Sequence, residues 1–436
     1  MSVAEPLPSA AGGDRERTGL AAVPPQPQAS KGFNGNGPAT VSRIFSQVEP
    51  GAVPEIDHLL HAIRVHLGME VAFVSEFTEG QRVFRNVDIA PGACQLQPGH
   101  GDPLEASYCA RVVDGRLPGL IRDAAAIPEA RTIPATLELP VGAHLSVPIV
   151  LNDGSVYGTF CCFSTVPDLT LTDRDLAMMQ VFANLTAARI EADQENDQFR
   201  EETIRRLQPV LRGEGLVTVF QPIVELATGR AAGYEALSRF SLPPTRGPDQ
   251  WFADAERVGL EVELDLAALH SVVGHLGELP PNAYLAVNVT PGTIVSGRLE
   301  ELCGLFDPAR TVLEITEHHV VSSYEDIADH LDPLRGQGFR LAVDDAGAGY
   351  ATLQHILKLA PDVIKLDMSL TRGIDSDSPR RALVSAMVAF GRETGAAVVA
   401  EGVETAEELE TLQGLGIECG QGFYFAKPGP FPPRAG

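Results

Sequence analysis

Lysine is scarce in this chain of 436 residues, in which four lysines occur against 29 arginines. Because arginine is the usual cation here, Lys365 inside the apolar run VIKLDMS (363–369) requires a specific reason. The sequence also lacks an unbroken apolar run of about 18 residues, which excludes an ordinary transmembrane helix. Its first residues lack the basic start and apolar core of a secretory signal. We therefore expect a cytoplasmic protein with no membrane partner.

The chain has fewer positive than negative charges: it contains 33 Lys and Arg residues and 58 Asp and Glu residues, and its formal net charge is −25. We expect no DNA partner, and an anionic ligand requires local help from metal ions or arginines. None of the six cysteines forms a CxxC pair, which excludes zinc sites of that spacing. We expect reduced structural thiols, and redox sensing by Cys161 and Cys162 is the less favoured alternative.

The first 195 residues divide into a tail and a domain. Residues 1–48 are rich in Ala, Gly, Pro, Ser and Gln and predict a disordered tail. Residues 49–195 predict an α+β domain, with an amphipathic helix at 56–68 and a hairpin around Asn152-Asp153-Gly154. This order, with the segment SYCARVVDGRLPGLIRDA (107–124), resembles a GAF sensor domain. The resemblance implies a small-molecule ligand, and the sequence leaves open whether it is a nucleotide, a small metabolite or nothing at all.

A long helix is predicted next, over residues 171–208, because this segment contains no Pro or Gly and Thr172 and Asp173 can cap it. Its apolar positions are weak after Ile190. Two interpretations stay open: a connecting helix that pairs with its twin in a dimer, or a solvated linker.

Residues 205–432 alternate strand-like and helix-like stretches, which predicts an α/β domain. Seven apolar runs there end in a charged or amide side chain, which favours a TIM-type (β/α)8 barrel over a doubly wound sheet. The runs are GYEALSR (233–239), LAVNVTP (285–291), VLEITEH (312–318), LAVDDAG (341–347), VIKLDMS (363–369), VVAEGVET (398–405) and CGQGFYF (419–425). Their polar side chains would meet at one mouth and form an oxygen-rich site for divalent metals, which points to metal-assisted hydrolysis.

The same segment resembles the EAL family of cyclic di-GMP phosphodiesterases. The matching motifs are FQPIV (220–224), YEALSR (234–239), NVTP (288–291), LEITE (313–317), DDAGAGY (344–350), IKLD (364–367), AEGVET (400–405) and QGFYFAKP (421–428). Each motif is weak alone, but eight in family order are specific. The resemblance implies hydrolysis of this bacterial second messenger to linear pGpG, two Mg²⁺ or Mn²⁺ ions per active site, and a homodimer.

The resemblance also implies roles for individual residues. The implied metal ligands are Glu235, Asn288, Glu314, Asp344 and Asp345. The implied catalytic residues are Lys365, Glu401 and Glu404. Asp367 follows Lys365 by two residues and would share its strand face, so we expect it to orient that lysine. The implied substrate contacts are Gln221, Arg239 and Gln421, and Glu317 is the implied anchor of the loop that follows the two aspartates. Structural alternatives are a Lys365–Asp367 salt bridge, a helix cap at Glu404 and a backbone hydrogen bond at Gln421.

The loop after Asp344 and Asp345 departs from the family pattern. The family usually has DDFG followed by a small polar residue, whereas Ala346 and Ala348 stand here. Loss of the aromatic side chain costs about 3 kcal/mol if nothing fills its space. We therefore expect a more mobile loop or altered regulation, with the metal ligands retained.

The alternative function is a catalytically silent cyclic di-GMP receptor, which has no need of Lys365 and Glu401. A third function, that of another TIM-barrel phosphate esterase, would rest on the fold alone.

Overall fold

A computed structural model describes residues 54–93, 96–134, 136, 140–315, 323–346 and 350–431. Three sequence predictions lie outside the described residues: the disordered tail at 1–48, the anchor Glu317 and the mobility of the loop at 347–349. The chain divides into two compact units, Met1–Asp193 and Gln194–Gly436. One helix, Asp173–Leu211, contains the division and occupies the segment for which the sequence predicts a connecting helix.

The first unit is built on a six-stranded antiparallel sheet with strand order β3-β2-β1-β6-β5-β4. Its strands are β1 Val71–Thr78, β2 Gln81–Ile89, β3 Gly101–Pro103, β4 Leu120–Ile121, β5 Ala143–Val150 and β6 Val156–Ser164. Strands β5 and β6 pair directly across residues 151–155, which confirms the hairpin predicted at Asn152-Asp153-Gly154. Helices α1 (Ile56–Leu67) and α2 (Tyr108–Val113) accompany the sheet.

Both faces of this sheet are buried, and each face has its own apolar cluster. Successive side chains of a strand point to opposite faces, so the neighbours Cys161 and Cys162 on β6 separate. Cys162 joins the cluster that contains Leu59 of α1. Cys161 joins the cluster that contains Phe73 and Cys109, the latter on α2.

The second unit is a closed eight-stranded barrel with strand order β10-β11-β12-β13-β14-β7-β8-β9, which confirms the predicted fold class. Its strands are β7 Leu216–Glu225, β8 Ala231–Phe240, β9 Tyr284–Asn288, β10 Thr311–Ile315, β11 Arg340–Ala346, β12 Val363–Leu366, β13 Ala397–Ala400 and β14 Cys419–Gly420. The described helices between them are Pro248–Val258, Glu261–Val273, Pro291–Val295, Leu299–Cys303, Tyr324–Gln337, Tyr350–Leu359, Met368–Thr371, Ser378–Thr394 and Ala406–Leu415. Along the part of the chain that the structure describes, no helix has both the length and the apolar character needed to cross a membrane.

Strand β7 makes this barrel different from a uniformly parallel one. It runs antiparallel to both β8 and β14, whereas the other neighbouring strands are parallel. The physical reason is the short connection at residues 226–230, since a parallel crossover needs a dozen residues or more. The reversed strand places Gln221 directly opposite Glu235 on β8.

Candidate active site

Lys365 on β12 is the centre of the site and is only 1% exposed. Its Nζ is surrounded by carboxylates from four parts of the barrel wall: Glu401 Oε1 at 2.7 Å, Glu314 Oε2 at 2.9 Å, Asp344 Oδ2 at 3.1 Å and Glu235 Oε2 at 3.3 Å. A buried ammonium is stable only when it is paired, and here it has four partners. The unusual lysine of the sequence therefore organises the charges of the barrel mouth.

The parallel register of the strands brings these side chains together. Glu314 on β10 lies level with Asn288, the last residue of β9, and its other neighbour in the ladder is Ala342 on β11. Asp344 follows Ala342 by two residues and so points to the same face of its strand. Because parallel strands end at one rim, alternate residues near those ends converge.

Asp344 and Asp345 are adjacent, yet both reach this site. The register between β11 and β12 shifts between Val343 and Ala346, and Asp345 adopts a positive φ of 54°. Aspartate tolerates this left-handed conformation better than most residues. The strand is therefore already turning at Asp345, which allows its side chain to point inward although Asp344 is its neighbour.

The side-chain amides of Asn288 and Gln421 form an amide belt that fixes the orientation of Glu235. Asn288 Nδ2 donates to its Oε1 at 3.2 Å, and Gln421 Nε2 donates to its Oε2 at 2.7 Å. The same Gln421 nitrogen lies 2.9 Å from Gln221 Oε1, and Gln221 Nε2 donates to the carbonyl of Ala426 at 3.1 Å. Gln421 Oε1 is buried and has no hydrogen-bond partner among the described residues.

The pKa values of the buried carboxyl groups shift in different directions, because burial, repulsion between the carboxylates and attraction to Lys365 act on each group to different extents. Burial opposes ionisation of Glu235, but Lys365 and the two amides hold its pKa below the usual value. Burial raises the pKa of Glu314 well above its usual value, although Lys365 works against the shift. Burial also raises the pKa of Glu401 to about 8, with Lys365 lowering it and Asp344 raising it. Burial alone would lower the pKa of Lys365, but the carboxylates, Asp344 foremost, raise it.

The donor set fits two hard divalent cations. Glu235, Glu314 and Asp344 each offer an oxygen within 4.8 Å of the others, and so do Asp344, Asp345 and Glu401. The two groups share Asp344. Carboxylate oxygens are the ligands that Mg²⁺ and Mn²⁺ prefer, and one ammonium cannot neutralise this many carboxylates. These acidic clusters could therefore bind two metal ions side by side.

A cavity of about 220 Å³ opens above the carboxylates. Its lining includes Glu235, Asp344, Glu401, Gln221 and Gln421, together with residues that the sequence analysis missed: Leu237, Met368, Arg372, Gly402, Gly422 and Phe423. Glu404 also lines it and forms an ion pair with Arg372. Phe423 is 56% exposed at this cavity, and its place two residues after Gln421 in QGFYF was the signal that could have found it.

The structure corrects two sequence-based interpretations of residues near the site, those of Asp367 and Glu404. Asp367 does not orient Lys365, because β12 ends at Leu366 and the Asp367 carboxylate caps the next helix by accepting from Ser369 N at 2.9 Å. This also removes the alternative of a Lys365–Asp367 salt bridge. The proposed cap at Glu404 is instead made by its neighbour Thr405, which forms a capping box with Glu408.

Arg239 lies apart from the carboxylates. Its Nη1 donates to the carbonyl of Ser238 at 2.8 Å, and the residue lines a second, largely apolar cavity of about 460 Å³. Asn288 lines this second cavity as well, so the two cavities approach each other at the ends of β8 and β9. The structure thus brings together most of the predicted site and leaves Arg239 at its margin.

Comparisons with known proteins define the class. A family model of the EAL domain matches residues 204–428, more than half of the chain, and a GAF domain model matches residues 56–191. The chain therefore belongs to the EAL domain family, and its first unit carries a GAF domain. Both resemblances stated from the sequence are confirmed.

Two curated relatives come from Escherichia coli (strain K12). "Probable cyclic di-GMP phosphodiesterase PdeG" is 31% identical over 240 residues, which cover 52% of this chain and 47% of PdeG. "Cyclic di-GMP phosphodiesterase PdeL" is 31% identical over 224 residues, 48% of this chain and 61% of PdeL. The chain thus spans about half to three-fifths of these relatives. The structure of EAL enzyme Bd1971, in a cAMP-bound form, aligns with a TM-score of 0.50 and 18% identity over 83% of this chain and 92% of that one, a likeness of fold.

Proposed function

We propose that this protein is a metal-dependent phosphodiesterase that hydrolyses cyclic di-GMP to linear pGpG. The observation that carries the proposal is the pair of carboxylate groups that share Asp344 around the buried Lys365. A catalytically silent receptor needs a groove for the nucleotide but no such concentration of charge. The names of PdeG and PdeL as cyclic di-GMP phosphodiesterases support the choice of substrate.

Metal ions fit the donor set described above. We assign Glu235, Asn288, Glu314, Asp344 and Asp345 as the residues that would hold two Mg²⁺ or Mn²⁺ ions. When bound, the ions would neutralise charge on the phosphoryl oxygens and favour ionisation of water. The amide belt of Asn288 and Gln421 holds Glu235 in one orientation, so that its carboxylate does not have to be ordered when ligands bind.

Glu401 is the base in this proposal. Its carboxyl lines the cavity and has a pKa of about 8 without cations, which suits proton exchange near neutral pH. It accepts the proton of the attacking water, while Lys365 Nζ at 2.7 Å from Oε1 holds the carboxylate in place. The Lys365 ammonium also limits repulsion between Glu401 and Asp344, which both contact it.

The cavity of about 220 Å³ accommodates the phosphodiester, and the remainder of a cyclic dinucleotide extends beyond it. Arg372 lies at this cavity and Arg239 at the neighbouring one, and guanidinium groups suit phosphate oxygens. The exposed ring of Phe423 offers a flat surface on which a nucleobase stacks. Gln221 and Gln421 complete the substrate contacts.

Regulation belongs to the same proposal. Residues 49–195 act as a sensor domain for a small molecule, residues 205–432 form the phosphodiesterase barrel, and the helix at 171–208 transmits the signal within a cytoplasmic homodimer. The continuous helix Asp173–Leu211 supports this arrangement, because it contains the division between the two units.

The test is incubation of purified protein with cyclic di-GMP and Mg²⁺ or Mn²⁺, with product separation by chromatography. We expect linear pGpG, no product after chelation, and recovery when the metal is restored. Glu235→Gln should abolish turnover while the protein remains folded by circular dichroism. Tight binding of intact cyclic di-GMP without turnover under every metal condition would favour the receptor and refute the enzyme.

A further inference from the structure

Two cysteine sulfurs meet in the interior of the GAF domain. Cys109 on α2 and Cys161 on β6 are 52 positions apart in the chain, yet their Sγ atoms lie 3.5 Å from each other. Both residues are fully buried and both thiols are free. Cys162, the sequence neighbour of Cys161, faces the other side of the sheet, and its Sγ lies 3.7 Å from Met179 Sδ.

The surroundings of the two sulfurs differ. Arg82 Nη1 points at Cys109 Sγ from 3.3 Å, and the guanidinium is held there by Asp102, whose Oδ1 accepts from Arg82 Nε at 2.9 Å. Cys161 Sγ instead contacts two hydroxyls, Ser146 Oγ and Thr159 Oγ1, each at 3.1 Å. A fixed cation beside one sulfur and neutral hydroxyls beside the other give the pair a nucleophilic and a resolving member.

The acid–base behaviour of the thiols agrees with this geometry. Burial opposes ionisation of Cys109, but the Cys161 thiol and the Arg82 guanidinium together lower its pKa to about 5. Burial raises the pKa of Cys161 well above its usual value, and the charge on Cys109 adds to that shift. Burial raises the pKa of Cys162 as well, which disfavours its thiolate form.

We propose that Cys109 and Cys161 form a redox-active dithiol, in which a small hydroperoxide oxidises Cys109 and Cys161 then closes a disulfide. This modification site lies in the GAF domain and is independent of the phosphodiesterase proposal. It gives the sensor a defined class of signal, namely peroxide.

The reaction takes place in two balanced steps. The Cys109 thiolate attacks the peroxide, so that an S–O bond forms, the O–O bond breaks, and the leaving oxygen takes up a proton as water or an alcohol. Cys161 then attacks the sulfur of the Cys109 sulfenic acid. An S–S bond forms, the S–O bond breaks, and hydroxide leaves with the Cys161 proton as water. The two thiols lose two electrons and the peroxide gains two.

The distance and the burial determine which oxidants act. The sulfurs must approach by roughly 1.5 Å to reach the S–S bond length of a disulfide, a shift within the range of a side-chain rotation. Their complete burial excludes bulky reagents such as glutathione disulfide or maleimides, and the proposal therefore requires an oxidant as small as hydrogen peroxide. We therefore expect selectivity for small oxidants in the folded protein.

The experiment treats the intact wild-type chain with hydrogen peroxide, blocks remaining thiols under denaturing conditions, and maps peptides without reduction. The expected result is a cross-linked pair of peptides containing residues 109 and 161, lighter by two hydrogens and released by a reductant. Oxidation of other cysteines while 109 and 161 remain thiols, or a cross-link between 109 and a different cysteine, would overturn the proposal.

Variants separate the two roles. Cys162→Ser is the matched control, and it should leave the cross-link and its rate unchanged. Cys161→Ser should stop the reaction at the sulfenic acid of Cys109, detectable with dimedone. Arg82→Gln should slow the oxidation about tenfold at pH 7, because it removes the cation beside the nucleophile. An unchanged rate in folded Arg82→Gln protein, or dimedone labelling at 161 in place of 109, contradicts the assignment of roles.

Discussion

Lys365 Nζ and Glu401 Oε1 are 2.7 Å apart, the shortest of the four ion pairs that surround the buried ammonium. The two residues belong to neighbouring positions on the barrel wall, since Lys365 lies in β12 and Glu401 directly follows β13. The contact joins a cation that is only 1% exposed to a carboxyl that lines the cavity. Replacing Glu401 removes a carboxyl from the cavity, whereas replacing Lys365 removes the cation that four carboxylates share.

Glu401→Gln should lower kcat at least about 100-fold, because the amide cannot accept the proton of the attacking water. The fold should be retained, since the amide still fits beside Lys365. Initial rates of pGpG formation with Mg²⁺ measure the effect. Glu393→Gln, at an exposed position outside the site, is the matched control and should retain the wild-type rate. A wild-type kcat in Glu401→Gln would remove Glu401 from the mechanism.

Lys365→Met should lower the free energy of unfolding of the barrel by about 3 kcal/mol in the presence of a chelator, because it leaves four carboxylates without their common cation. Mg²⁺ should restore most of this loss, since divalent cations neutralise the same oxygens. Urea unfolding followed by the fluorescence of Trp251 reports on this unit. Equal destabilisation with and without Mg²⁺ would show that the carboxylates do not hold the ion.

Asp345 combines a charge with a left-handed backbone, and two substitutions separate these properties. Asp345→Asn keeps a side chain that tolerates φ of 54°, so it should weaken Mg²⁺ binding with little change in stability. Asp345→Ala should weaken binding equally and in addition destabilise the barrel by about 1 kcal/mol. Titration calorimetry and urea unfolding measure the two effects. Identical stabilities of the two variants would contradict the backbone argument.

His144 should make the GAF domain sensitive to acid. Burial, with a contribution from Arg82, lowers its pKa from 6.5 to about 3, and its ring packs on Tyr108 with centroids 4.8 Å apart. The unfolded chain binds a proton below pH 6.5 that the folded domain does not bind. Above pH 6.5, His144 therefore does not lower the free energy of unfolding of the GAF domain. As the pH falls from 6.5 towards 3, this free energy decreases by up to about 1.4 kcal/mol per pH unit.

Hydrogen exchange of β5 between pH 7 and 5, corrected for intrinsic rates, measures this loss. His144→Phe, which keeps an aromatic ring against Tyr108, should flatten the dependence. A wild-type pH dependence in this variant would assign the acid sensitivity to other groups.

The barrel and most of its mouth were predictable because seven of the eight strands, β8 to β14, carry their own local signal, an apolar run that ends in a polar side chain. Lys365 and Glu314 were found in this way. The error at Asp367 arose because the i, i+2 rule holds only while a strand continues, and β12 ends one residue earlier. The helix cap formed with Ser369 is a local pattern that could have corrected it.

Other features depend on tertiary structure alone. The antiparallel direction of β7 follows from a short connection, which is visible in the sequence but decisive only once the partner of β7 is known. The meeting of Cys109 with Cys161 depends on how α2 packs on the sheet, and no periodicity connects positions 52 residues apart. Ala346, expected to weaken its loop, is itself buried within an apolar cluster, and the loop beyond it lies outside the described residues.

The closure of the barrel has a consequence for biosynthesis. Strand β7, the first of the barrel to leave the ribosome, pairs on one side with β14, and Phe220 exchanges backbone hydrogen bonds with Gly429. Gln421, which orients Glu235, arrives with the same late segment. A nascent chain that has already produced Glu235, Glu314, Asp344 and Lys365 therefore still lacks a closed wall. The carboxylates of the site therefore reach their final arrangement only when translation has passed this segment.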